Sequence, residues 1–144
     1  MLADQILDRK GREVSTIPPD TTVRAATTAL AEANVGALIV SPDGSALAGI
    51  VSERDIVRRL AVDGPDLLDR PVSALMQSEV HTCTGSDTID QLMHLMSEHR
   101  IRHLPVVADG ALVGIISIGD VVKTRVDELT TEKDQLVDYI RTGR

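Results

Sequence analysis

The sequence predicts a mixed α+β fold: two tandem β-α-β-β-α repeats packed sheet to sheet about a pseudo-twofold axis. Three observations predict it. The chain of 144 residues matches itself at an offset of 66 positions and, after a one-residue deletion, 65. Each copy carries one helix-periodic stretch, two β-rich runs split by a turn, and a second helix start. The core has to be aliphatic, because apolar residues make up 42% of a chain with one Tyr, no Phe and no Trp.

The elements follow in order. Glu13 to Ile17 reads as a short strand, and Val80 to Cys83 is its counterpart, with Val14-Ser15-Thr16-Ile17 matching Val80-His81-Thr82-Cys83. Asp20 or Thr21 then caps a helix over Val23, Ala26, Ala29, Leu30 and Ala33. In the second copy Ser86 or Asp87 caps Ile89, Leu92, Met93 and Met96. Two hairpins come next. Gly36 to Val40 pairs with Leu47 to Ser52 around Pro42-Asp43-Gly44, and Leu104 to Val107 pairs with Leu112 to Ser117 around Asp109-Gly110, a strong turn signal. A second helix starts at Glu53 or Ile118.

A unit of about 55 residues buries too little apolar surface to be comfortable alone. Two copies are therefore expected to share one core and to leave two equivalent clefts between them. The expected divisions are 1–62 for the first repeat with its N-terminal segment, 63–71 for a turn-rich linker, 72–125 for the second repeat and 126–144 for a C-terminal helix. Val122, Val126, Leu129, Leu136 and Ile140 keep a 4,3 spacing interrupted by Lys133, a narrow seam suited to a partner subunit. Leu2, Ile6 and Leu7 dock beside that helix.

Charge and composition narrow the function. Fifteen Lys and Arg against 22 Asp and Glu give a net charge of −7, which disfavours a nucleic-acid partner but leaves room for a local basic patch that binds a small phosphate. The single cysteine, Cys83, excludes an internal disulfide and fits a reducing compartment. The start lacks the basic-then-apolar pattern of a signal peptide, and no apolar run reaches the ~18 residues a membrane span needs, so the expected setting is cytoplasmic. His81, His94, His99 and His103 fit no compact zinc spacing, and neither a Gly-x-Ser-x-Gly elbow nor a carboxylate pair stands out. No metal, no catalytic residue and no enzyme activity are expected.

Two motifs carry candidate chemistry. Ser52-Glu53-Arg54-Asp55 and Ser117-Ile118-Gly119-Asp120 sit at strand-to-helix junctions, where Ser-x-x-Asp forms a capping box. The same geometry presents free N–H groups to a phosphate and two carboxylate acceptors to vicinal ribose hydroxyls. The residues alone leave both readings open. Arg102 and His103 precede Leu104-Pro105-Val106; on a strand they point to opposite faces, so one of the two faces a cleft. Arg102 is favoured, because a guanidinium pairs bidentately with phosphate oxygens.

Gly49-Ile50-Val51-Ser52-x-x-Asp55-Ile56, Gly114-Ile115-Ile116-Ser117-x-x-Asp120-Val121 and Ile101-Arg102-His103-Leu104-Pro105-Val106-Val107 together resemble the cystathionine-β-synthase (CBS) domain pair, over nearly the whole chain. The resemblance implies a non-enzymatic regulatory module with no obligatory cofactor. Such a module binds an adenosine-containing nucleotide (AMP foremost, with ADP, ATP, NAD and S-adenosylmethionine as others), senses energy or cofactor level, forms a homodimer in which the pairs make a flat disc, and acts on an unidentified downstream protein. It also implies that Asp55 and Asp120 hold ribose, that Ser52, Ser117 and Arg102 hold phosphate, and that Thr16, Ile17, Thr82 and Cys83 flank adenine. His103 and Pro105 complete the candidate set. The first copy departs from the pattern, since Val35-Gly36-Ala37-Leu38-Ile39-Val40 lacks the Pro and the basic residue. Arg54 is expected to compensate there, and the tighter site is expected around Asp120. The competing reading is a ligand-free interaction scaffold in which the capping boxes only cap.

Overall fold

The computed structural model describes residues 1–143. Its elements are α1 (Ala3–Lys10), β1 (Thr16–Ile17), α2 (Val23–Ala33), β2 (Ala37–Val40), β3 (Gly49–Ser52), α3 (Glu53–Asp63), two short 3₁₀ turns (Pro65–Asp69 and Val72–Ala74), α4 (Ile89–His99), β4 (His103–Ala108), β5 (Ala111–Ser117) and α5 (Ile118–Thr142). The two β-α-β-β-α repeats are present. β1 runs parallel to β2, which pairs antiparallel with β3, and β4 pairs antiparallel with β5. The first strand of the second copy shrinks to a single bridge between Cys83 and Val106.

Local chemistry explains most boundaries. Asp109 and Gly110 both have positive φ, 52° and 78°, so the second hairpin closes in the tight turn that matches strand twist. In the first hairpin, Asp43 Oδ1 accepts the Ser45 and Ala46 N–H groups and holds a longer loop. The expected helix caps are corrected by one or two residues. Thr22, not Asp20 or Thr21, caps α2 by accepting from Ala25 N, and Thr88, not Ser86 or Asp87, caps α4. At Thr88 the partner three residues on is Gln91, which returns the bond and completes a capping box. Asp87 is occupied otherwise, accepting the Thr84 N–H.

The buried residues form two clusters rather than the one shared core expected. Cys83, Ile89, Leu92, Met96, Leu104, Val106, Ile116 and Val121 of the second repeat make one, and Ile17, Val23, Leu30, Leu38, Val40, Val51 and Ile56 of the first make the other. Ala37 and Ile39 lie on the far face of β2 and are buried outside either cluster; Pro105 of β4 is buried too. Strand alternation turns these residues toward the opposite repeat.

Each cluster is completed by a segment that precedes the other repeat in sequence. Ala3, Ile6 and Leu7 of α1 are buried in the second repeat's cluster, and Leu67, Val72 and Leu75 are buried in the first's. Leu67 of the expected linker is thus core, Val72 and Leu75 from the start of the expected second repeat pack on the first, and the N-terminal segment grouped with the first repeat packs on the second. Main-chain bonds fix both: Ala3 N donates to Asp87 O and Ile89 N to Met1 O, while Val72 N donates to Thr21 O and Val23 N to Arg70 O. A glycine admits each segment. A Cβ on Gly114 would lie 2.7 Å from two methyl carbons of Leu7, and one on Gly49 would lie 2.8 Å from the Gln77 carbonyl oxygen.

α5 runs unbroken for 25 residues, so the division expected at 126 is not a break. Val122, Val126, Leu129, Leu136 and Ile140 are more than half exposed along it. α1 docks beside its first half, with the N-terminal amine 3.0 Å from Glu128 and Lys10 Nζ 2.6 Å from Asp120. No helix among the described residues is long and apolar enough to cross a membrane.

Candidate functional site

Both Ser-x-x-Asp motifs form capping boxes. Ser52 Oγ accepts the Asp55 N–H at 3.2 Å, and Asp55 Oδ2 accepts the Ser52 N–H in return. Ser117 and Asp120 repeat the pair, at 3.2 and 2.8 Å. Their further partners differ. Gln77 Nε2 donates to Asp55 Oδ1 at 3.2 Å. Lys10 Nζ donates to Asp120 Oδ2 at 2.6 Å and to the Ile115 carbonyl at 2.9 Å. Burial alone would raise the Asp120 carboxyl, but the Lys10 ammonium and the Ser117 N–H outweigh it and hold the group below the usual carboxylate range.

The cleft between the repeats is built around Asp55. Ser52, Arg54, Asp55 and Arg58 come from the start of α3; Arg100, Arg102 and His103 come from the end of α4 and the start of β4. Arg102 therefore faces the first copy's motif, not Ser117 and Asp120, which reverses the expected pairing. The start of α3 meets the end of α4 and the start of β4 of the other repeat, whereas the start of α5 meets Lys10 of α1. Arg54 lies in the same cleft as Arg102 rather than standing in for it. Arg102 and His103 both line this space, because Arg102 sits in the bend before β4 where strand alternation does not yet apply.

Gly36, the first copy's match to Arg102, has a purpose here. The His103 imidazole lies 3.4 Å from where a Gly36 Cβ would be, so a methyl group there would touch the ring and a longer side chain would enter the space beside it. Burial pushes the His103 pKa down, and the Lys10 and Arg102 charges add to this against Asp120 and Glu53.

The remaining candidates lie elsewhere. Ile17 and Cys83 are core residues of the two clusters, and Thr16, Thr82 and Pro105 do not line the cleft. Burial raises the Cys83 thiol to about 12, which leaves it without thiolate character. Asp120 faces Lys10, with Lys123 and Thr124 nearby, and Ser117 is held in the cap with Asp120. No group of three or more His, Cys, Asp or Glu is placed to hold a metal among the described residues.

Sequence reasoning missed Arg58, Arg100 and Gln77. Arg58 is one turn beyond Arg54, so its place on the same helix face was readable. Arg100 depends on the left-handed end of α4, where φ is 53°, and Gln77 on a bridge to Ile50; neither leaves a sequence signal.

Comparison with known proteins agrees with the paired-repeat fold. A family model described as "CBS domain" matches residues 8–62 and again 72–127. A mitochondrial CBS domain-containing protein, CBSX3 of Arabidopsis thaliana, is 40% identical over 128 residues, covering 86% of this chain; the chain spans 62% of that relative's length. The crystal structure of the CBS-domain protein ATU1752 from Agrobacterium tumefaciens superposes with a TM-score of 0.85 at 42% identity, covering 87% of this chain and 99% of that one. A CBS domain protein, PAE2072 from Pyrobaculum aerophilum, solved in complex with AMP, superposes with a TM-score of 0.74 at 31% identity, covering 83% and 89%.

Proposed function

Since the chain belongs to the CBS-domain family, we propose that it is a non-enzymatic regulatory module that binds an adenosine-containing nucleotide in the Asp55 cleft. One observation carries this reading: the cleft joins a carboxylate suited to ribose hydroxyls with arginines suited to phosphate, drawn from both repeats. Asp55 is the ribose acceptor. The Arg54 N–H in the first turn of α3 and the Arg102 guanidinium take a phosphate, and the Ser52 hydroxyl joins them by turning away from Asp55 Oδ2, to which it donates at 2.9 Å. Binding that bridges two repeats shifts their relative position, and a regulatory module needs such a ligand-dependent pair of states. The AMP held by the Pyrobaculum protein supports the ligand class. The exposed seam of α5 supports assembly into a homodimer.

Thermal denaturation with adenosine, AMP, ADP, ATP, NAD and S-adenosylmethionine tests the reading. A ligand at a hundred times its Kd adds about 2.7 kcal/mol, a rise of roughly 5–10 °C for a chain of this size. Asp55→Asn keeps an acceptor for the cap but loses the charge-assisted bond, so affinity falls roughly tenfold or more. No shift with any compound leaves the ligand-free scaffold.

A further inference from the structure

The charge of the cleft goes beyond what one phosphate requires. Six of the eleven arginines among the described residues make an ion pair: Arg9, Arg12, Arg24, Arg59, Arg70 and Arg125. Of the five that make none, Arg141 lies in the last turn of α5. The other four, Arg54, Arg58, Arg100 and Arg102, all line the Asp55 cleft. This concentration occurs in a chain of net charge −7 with 22 carboxylates available as partners.

The opposite side lacks it. At the positions matching Arg54, Arg58, Arg100 and Arg102 the other copy has Gly119, Lys123, Asn34 and Gly36, and Lys10 sits on the Asp120 carboxylate. The arginines are therefore a property of one cleft and not of the repeat.

Four guanidinium charges face a space that also holds the Glu53 and Asp55 carboxylates, neither of which pairs with them, so an excess of positive charge remains and a bound polyanion relieves its repulsion. Their placement suits a chain of phosphates. Arg54 and Arg58 lie one turn apart on one face of α3, about 6 Å along the helix surface, and Arg100 and Arg102 come from the opposite element. Arg54 adjoins Asp55 in α3 and Arg102 immediately precedes β4; Arg58, one turn further along α3, and Arg100, two residues before Arg102, add the charge that further phosphates would meet.

We infer that the Asp55 cleft selects ligands with two or more linked phosphates over the monophosphate. This rests on the nucleotide reading above and specifies it further. Calorimetry at one ionic strength, without divalent cations, tests it with adenosine, AMP, ADP, ATP and inorganic tripolyphosphate. Affinity should rise at least tenfold from AMP to ATP, with a steeper salt dependence for ATP. Arg58→Gln and Arg100→Gln should each weaken ATP by a larger factor than AMP. Equal or tighter AMP binding overturns the inference, as does an equal loss for both ligands in both variants. Tripolyphosphate binding without any nucleotide binding upholds the polyphosphate cleft and overturns the nucleotide reading; no binding by any of the five overturns both.

Discussion

The contact between Leu7 and Gly114 gives a stability test with a definite sign. Leu7 is fully buried in the second repeat's cluster although Cys83, the first of that repeat's members, lies 76 positions further along the sequence. Leu7→Ala removes three buried carbons and leaves a cavity, at a cost of about 3 kcal/mol. At 2–4 °C per kcal/mol, Tm drops by roughly 6–12 °C. Gly114→Ala places a Cβ 2.7 Å from both Leu7 methyl carbons, closer than van der Waals contact permits. Leu7 has no room to retreat, so overpacking costs about 1–3 kcal/mol. The double variant removes the clash and partly fills the cavity. Its cost should fall short of the two single costs together by at least ~1 kcal/mol. Urea unfolding followed by far-ultraviolet circular dichroism suits a chain without Trp. Additive costs, or a Leu7→Ala penalty below ~1 kcal/mol, would refute the claim that α1 is part of that core.

Cys83 in the native protein should resist thiol reagents at pH 8, because burial holds its pKa near about 12, and react promptly once unfolded; fast native labelling contradicts the burial. His103 has a folded pKa below its unfolded 6.5, so the unfolded chain takes up the proton first. Its contribution to stability is full above 6.5 and is lost as pH falls below it. Tm should therefore drop less between pH 7 and 5 for His103→Gln than for the wild type, and identical drops would exclude this role. Light scattering should show a species near twice 15.5 kDa, reduced to one chain by Leu129→Glu with Leu136→Glu on the α5 seam.

What the sequence showed was whatever repeats or caps locally. The Ser-x-x-Asp boxes, the Asp109-Gly110 turn and the helix faces rest on contacts within a few residues, and periodicity displays them. The exchange of segments was legible only in part. Carrying the 66-residue offset back beyond Val14 sets Ile6 against Val72 and Leu2 against Leu68, which marks both stretches as one repeated element. It does not say which repeat each one covers. The regrouping of Arg102 with Asp55 was hidden for the same reason: motifs read along the chain group residues of one copy, whereas this cleft joins residues of both. Lys10 on Asp120 has no counterpart at all, because Met76 holds the matching place.

The reciprocal placement of residues 1–10 and 65–76 also bears on how the chain folds. A repeat with only its own leading segment would leave its cluster without the cover that Ala3, Ile6 and Leu7, or Leu67, Val72 and Leu75, provide. Within one chain that encounter is intramolecular, so it does not depend on protein concentration. The exchange also distinguishes the two sides, since the arm of residues 1–10 carries Lys10 to Asp120 while the other side keeps its arginines.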